Sequence, residues 1–210
     1  MIVPVFNQKI AVYKYDKIDS FTGKNKLKKS VDSFFNLPAL KESSSIETYG
    51  DFKTSLNMWN QYPVFETFNL NEYELGIWLK EHIIKGAKEL GLDKYLDVYS
   101  YKLMRSWSNR MYSESQNAAH IHGNGCDMVC IFYYEAPSNS GELIFLNEDI
   151  ELYNNKTFDK YLKENRFHFK PETGHFVCHL PNIPHSVSYH KSKHPRTVFV
   201  FEPKFKLKSF

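Results

Sequence analysis

Apolar and polar positions alternate from the first residues. The stretch "IVPVFNQKIAVYKYD" predicts one or two strands. "KLKKSVDSFFNL" predicts a short helix, and "SSSIETYGDFKTSLNMWNQYP" is turn-rich and predicts irregular chain. The clearest helical period lies in "LNEYELGIWLKEHIIKGAKELG". There Asn71 is placed to cap, Glu72 and Glu74 fall in the first turn, and Gly91 follows the last. Leu75, Trp78, Leu79, Ile83 and Ile84 share one face, with Leu90 near its end, so this helix should pack on a sheet. After residue 95 the period shortens to two. "LDVYSYKLMRSWSNRM", "DMVCIFYYEAP", "GELIFLNE", "RFHFKPETGHFVCHLP", "HSVSYH" and "RTVFVFEPKF" read as strands punctuated by Gly, Pro and Asn. Many short strands point to a sandwich or barrel. The expected fold is α+β but mainly β: a double-stranded β-helix (jelly-roll) core over 96–210, with strand and helical support over 1–95, in one domain 1–210.

Composition narrows this picture. At 210 residues, 42% apolar and 16% aromatic, the chain can bury a substantial core, and disorder is excluded as its default. The formal charge is +3, and the basic residues gather in "GKNKLKKS" and "KFKLK", which read as a solvated loop and tail. A nucleic-acid surface would want a larger basic face with interleaved aromatics. Cys126, Cys130 and Cys178 are odd in number and lack zinc-knuckle spacing, so reduced thiols are expected. The start "MIVPVFNQKI" has no basic leader, and no apolar run reaches membrane-spanning length. A cytosolic protein that does not act at a membrane is the expectation.

The candidate chemistry lies in the histidines. Of the nine, His82, His168, His190 and His194 read as structural or exposed. His175 and His179 share a strand face but form a weaker pair. His120 and His122, in "AAHIHGNGCDMVCIFYY", point to one side of an extended segment and can reach one metal ion together; read alone, they are equally a pair of exposed loop histidines. His185 follows a Pro-bounded loop in "GHFVCHLPNIPHSV". In a jelly roll its strand can run beside the earlier one and complete a facial set. Eleven residues on, Arg196 opens the apolar strand "RTVFVF", where an arginine invites a carboxylate partner. Taken alone, it is a strand-end surface cation.

Together, "VPVFNQKIAVY", "SWSNRMYSESQNAAHIH", "FYYEAPSNSGELIF" and "FKPETGHFVCHLPNIPHSVSYHKSKHPRTVFVF" resemble the iron(II)- and 2-oxoglutarate-dependent oxygenases. The likeness is greatest to those of phage and marine bacterial genomes related to prolyl 4-hydroxylases. It spans nearly the whole chain and rests on the order and spacing of the motifs. The resemblance implies Fe(II), 2-oxoglutarate and O2 as cofactor and cosubstrates. It implies oxidative decarboxylation of 2-oxoglutarate coupled to hydroxylation of a small-molecule or peptide substrate, such as a prolyl or other amino-acid residue. It gives His120 and His185 metal-binding roles. His122 stands where most of the superfamily has an aspartate, and Asp127 is a less favoured carboxylate alternative. Arg196 would hold the far carboxylate of 2-oxoglutarate, with Tyr133 preferred to Tyr134 beside it. Asn117 and Asn109 are candidate polar contacts to cofactor or substrate, and Trp107 a pocket wall. Substrate recognition would lie in loops at about 42–60 and 147–166. Two rivals stay open: a cupin-type three-histidine metalloenzyme without 2-oxoglutarate, which would not need Arg196, and a non-catalytic jelly-roll binding protein.

Overall fold

The computed structural model describes residues 1–6, 8–41, 48–123, 125–147 and 165–208. Of the two loops assigned to substrate recognition, 42–47 and 148–164 lie outside the described residues. The chain opens with β1 (Ile2–Val5) and β2 (Gln8–Lys14), then α1 (Lys24–Phe34) and the short α2 (Pro38–Lys41). β3 (Thr48–Tyr49), β4 (Phe52–Thr54), α3 (Val64–Thr67) and α4 (Glu74–Glu89) follow. The remainder is strand: β5 (Leu96–Met111), β6 (Gln116–His120), β7 (Val129–Glu135), β8 (Leu143–Leu146), β9 (Arg166–Phe169), β10 (His175–His179), β11 (His185–Val187) and β12 (Arg196–Leu207).

These strands form two sheets. The larger has the order β1-β2-β10-β7-β12-β5-β4 and the smaller β3-β6-β11-β8-β9. The pairings are antiparallel. The result is a mainly-β α+β fold with a double-stranded β-helix core and helices on the outer face of the larger sheet, as the strand pattern predicted. No helix among the described residues is long and apolar enough to cross a membrane.

Alternation along the central strands divides the interior into two layers. On β12, Phe199 and Phe201 face the helices, while Val198 and Val200 face the smaller sheet. On β7, Cys130, Phe132 and Tyr134 face the helices, while Val129, Ile131 and Tyr133 face inward. The helical layer is supplied by Leu27 and Val31 of α1 and by Leu75, Leu79 and Ile83 of α4, all fully buried. Trp78 and Ile84 are only partly buried at its margin.

Two local expectations need correction. The stretch read as irregular contains β3, β4 and a 3-10 turn at Leu56–Met58, because β4 pairs with the end of β5. Tertiary pairing supplies what short local sequence did not show. Asn71 does not cap α4. Residues Leu70–Glu72 form a 3-10 turn, and extended Tyr73 precedes the helix. The Asn71 amide oxygen instead accepts a hydrogen bond from Lys80. At the other end Gly91 takes a positive φ of 83°, the left-handed turn that ends a helix cheaply only with glycine.

The tight entry into α4 depends on Gly76. A Cβ built there would lie 2.0 Å from the Leu70 carbonyl oxygen. Glycine to alanine inside a helix ordinarily stabilises by about 1 kcal/mol. Here the clash should reverse the sign, and Gly76→Ala is expected to lower stability by roughly 1–3 kcal/mol in urea unfolding.

Candidate metal centre

β12 lies between β5 and β7, and its register sets out one wall of the site. Across β5 it pairs Arg196 with Met111, Val198 with Asn109, Val200 with Trp107 and Glu202 with Arg105. Across β7 it pairs Val198 with Tyr133. Residues two apart share a face, so Arg196 and Glu202 lie on the inward side of the same strand. The opposite wall comes from the smaller sheet, where β6 and β11 pair His120 directly with His185. His122 follows β6, and its backbone N–H donates to the Pro181 carbonyl at 3.0 Å, which ties the second histidine to the loop before His185.

This brings His120, His122 and His185 together, with one ligand nitrogen from each within 4.8 Å of the others. The His122 and His185 rings are nearly parallel, with centroids 5.2 Å apart. Each ring is oriented through Nδ1. In His120 it lies 2.9 Å from the Ala118 carbonyl, and in His185 3.0 Å from the Ile183 carbonyl. In His122 it lies 2.6 Å from Glu202 Oε1. A carbonyl or ionised carboxylate oxygen can only accept, so Nδ1 carries a hydrogen, and in a neutral ring the lone pair then falls on Nε2. In His122 the Nε2 atom is buried and meets no hydrogen-bond partner. Burial, reinforced by the neighbouring imidazoles, holds the pKa of His185 well below its ordinary value, which keeps the ring a neutral donor.

Arg196 lies in the same cavity of about 50 Å³, whose lining also includes the three histidines, Asn109 and Asn117. It is 2% exposed. Its guanidinium reaches the Tyr133 hydroxyl at 3.3 Å and the Met111 sulfur at 3.7 Å, and its Nε is unpartnered. Burial lowers its pKa, with Tyr133 opposing that shift. Tyr134 faces the other layer and stacks on Phe199. Asn117 Oδ1 is buried without a partner, whereas Asn109 Oδ1 accepts from the Thr54 hydroxyl at 2.6 Å. Trp107 lies over His122, centroids 5.9 Å apart. The cavity continues into a mouth of about 200 Å³ bordered by Phe52, Thr54 and Ile121.

Asp127 does not fold back to the histidines. Its oxygens accept from Lys204 Nζ at 2.6 Å and the Phe205 N–H at 2.8 Å, so β12 holds it elsewhere.

Glu202 carried no motif along the chain, and His179 stood out only as half of a weaker pair with His175. Glu202 is 1% exposed, bonded to His122 and to Arg105 Nη2 at 3.0 Å. Burial pushes its pKa up, but the hydrogen bonds from His122 and Arg105 outweigh this and hold it below the ordinary value. Its signal was a lone carboxylate six residues, and so three alternations, after Arg196. His179 is fully buried against His185, ring centroids 4.6 Å apart. Its Nδ1 donates to the Leu180 carbonyl, and its Nε2 has no partner. His175 sits at the other end of β10, where its Nδ1 accepts the Glu172 N–H.

Residues 105–202 match the family described as "Putative 2OG-Fe(II) oxygenase". That span runs from Arg105 to Glu202 and contains all three histidines and Arg196. No curated protein sequence matches the chain. Among solved structures, the chain is similar to the non-heme alpha ketoglutarate dependent carbocyclase SnoK from nogalamycin biosynthesis, with a TM-score of 0.58 at 10% identity over 94% of this chain and 79% of that one. It is also similar to HygX from Streptomyces hygroscopicus, solved with nickel and 2-oxoglutarate bound, with a TM-score of 0.52 at 9% identity over 93% and 82%. A 2OG-Fe(II) oxygenase family oxidoreductase from Burkholderia pseudomallei aligns over 51% of this chain at 16% identity and a TM-score of 0.40; the match spans about half of that structure, 47%. The likenesses to SnoK and HygX define a class of fold, the double-stranded β-helix of 2-oxoglutarate-dependent oxygenases.

Burial pushes the pKa of His179 down to about 3 from 6.5, helped by the nearby histidines. The unfolded chain therefore binds the extra proton first, and metal-free stability should fall as pH drops from about 6.5 towards 3. At pH 5.5 this one group should cost about 1 kcal/mol relative to pH 7.5. Urea unfolding of the metal-free protein at both pH values checks it, and His179→Leu should remove this group's share of the dependence, leaving that of His185.

Proposed function

We propose that this protein is a non-haem iron oxygenase that couples oxidative decarboxylation of 2-oxoglutarate to hydroxylation of a small-molecule or peptide substrate, such as a prolyl or other amino-acid residue. The observation that carries the reading is Arg196. A guanidinium buried without a carboxylate costs several kcal/mol, so its presence argues for a ligand that brings one. Three imidazoles, each hydrogen-bonded through Nδ1, share its cavity. A dicarboxylate with one end on Arg196 and the other at a metal held by those imidazoles answers both features.

In this reading His120, His122 and His185 hold Fe(II), and Arg196 with the Tyr133 hydroxyl holds the far carboxylate. Bound there, iron and 2-oxoglutarate supply with O2 the oxidising power for C–H hydroxylation, yielding succinate and carbon dioxide. The chain's own residues orient and exclude. The Ala118 and Ile183 carbonyls and Glu202 fix the three rings. Ile131, Val198 and Val200 line the cavity with apolar surface and keep water from the reacting end. Asn117, whose amide oxygen is buried and unused, is placed to accept a hydrogen bond from cosubstrate or substrate. The wider mouth, bordered by Thr54 and Ile121, is the approach left for substrate.

Anaerobic titration with Fe(II) and then 2-oxoglutarate tests this. A weak visible charge-transfer band is expected for wild type. Arg196→Ala should keep the metal and weaken 2-oxoglutarate binding about 30-fold or more, since one partner of a buried charge pair is removed. Metal binding without the band would instead support a three-histidine enzyme that does not use 2-oxoglutarate. No metal binding would overturn the proposal. His185→Ala should abolish 2-oxoglutarate decarboxylation, and full activity in that variant would remove His185 from the site.

A further inference from the structure

The three histidines contain no carboxylate, yet a buried carboxylate stands directly behind one of them. Glu202 Oε1 lies 2.6 Å from His122 Nδ1, and the glutamate is 1% exposed. Its position is over-determined. The register places Arg105 opposite it on β5, and that guanidinium grips both carboxylate oxygens through Nε and Nη2. Trp107, on the same face of β5, stacks over the His122 ring. His122 Nε2, on the far side of that ring from Glu202, is buried and unpartnered. An ion pair kept only for stability would not need the imidazole, because Arg105 alone satisfies the carboxylate with a two-point contact.

We infer that Glu202 is a positioning residue for His122: it fixes the Nδ1–H tautomer, aims Nε2 at the metal locus, and supplies through the ring the negative charge that an all-histidine set lacks. The inference rests on the reading of His122 as a ligand. The physics is that of a carboxylate accepting from a metal-bound imidazole: the more strongly Nδ1–H is drawn to the acceptor, the more electron-rich Nε2 becomes as a donor. Arg105 keeps Glu202 ionised and prevents it from swinging past the ring to bind the ion itself. The anion is thereby retained one bond layer out from the metal. Each divalent ion then meets three neutral nitrogens, one of them backed by a charge.

Cobalt(II) titration of the metal-free protein, followed by its visible absorption, measures this without turnover. Glu202→Gln should weaken Co(II) binding about 10- to 100-fold, the usual effect of removing such a partner. His122→Ala separates the two layers of the argument. If His122→Ala binds Co(II) as tightly as wild type, His122 is not a ligand and the site reading falls with the inference. If His122→Ala loses affinity while a folded Glu202→Gln keeps it, the site reading stands and the role of Glu202 is overturned. A third readout needs no variant. Nitrogen-15 NMR of the metal-free wild type, taken at a pH where the His122 ring is neutral, should show hydrogen on Nδ1 and none on Nε2, and the opposite tautomer would overturn the inference even if Glu202→Gln fails to fold.

Discussion

The register of β12 between β5 and β7 is the constraint on which the rest of the structure depends. With a side-chain period of two, a one-residue slip would turn every residue of the strand to the other layer. Arg196 and Glu202 would then lie under the helices, and Phe199 and Phe201 would fill the cavity. The apolar matches on both faces make such a slip costly. Phe199 stacks on Phe68 and on Tyr134, while Val198 and Val200 close the inner layer. The hydrophobic core therefore does more than stabilise. It holds two opposite charges, six residues apart on β12, at two ends of one cavity wall.

The smaller sheet answers that wall with nitrogen. Pairing of β6 with β11 sets His120 against His185, and the Pro181 carbonyl draws His122 in beside them. Two of the three rings are fixed by backbone carbonyls and the third by a side-chain carboxylate. That difference follows from topology. His120 and His185 find an acceptor within two residues of themselves, whereas His122, beyond the end of β6, is fixed from across the cavity by β12. The candidate metal site thus joins both sheets. A larger groove of about 530 Å³, by contrast, gathers Trp59, Phe65 and Lys80 outside the histidine site; Arg105 is the residue common to that groove and to the mouth of the cavity.

Much of this was legible along the chain. The alternation of β5, β7 and β12, the face of α4, Gly91 as its stop and the same-side pairing of His120 with His122 follow from local stereochemistry, and sequence displays that directly. The resemblance to 2-oxoglutarate oxygenases also singled out His185, Arg196 and Tyr133 as residues to be found together. Less legible was anything depending on a partner distant in sequence. β4 is three residues long and exists because β5 offers it an edge. The true start of α4 was hidden because Asn71 is drawn to Lys80 rather than to the helix backbone.

By itself, the sequence determined the periodicities, and with them the fold class, the inward identity of alternate residues and the presence of imidazoles and an arginine on strands. Tertiary structure alone decided which of these groups meet. It assigned Asp127 to Lys204 and the Phe205 amide, buried His179 beside His185, and set Glu202 against His122 across 80 residues of chain. The physical reason is that a side chain's direction follows from its own backbone, whereas its partner is fixed by strand order and register, which arise from the packing of the whole core.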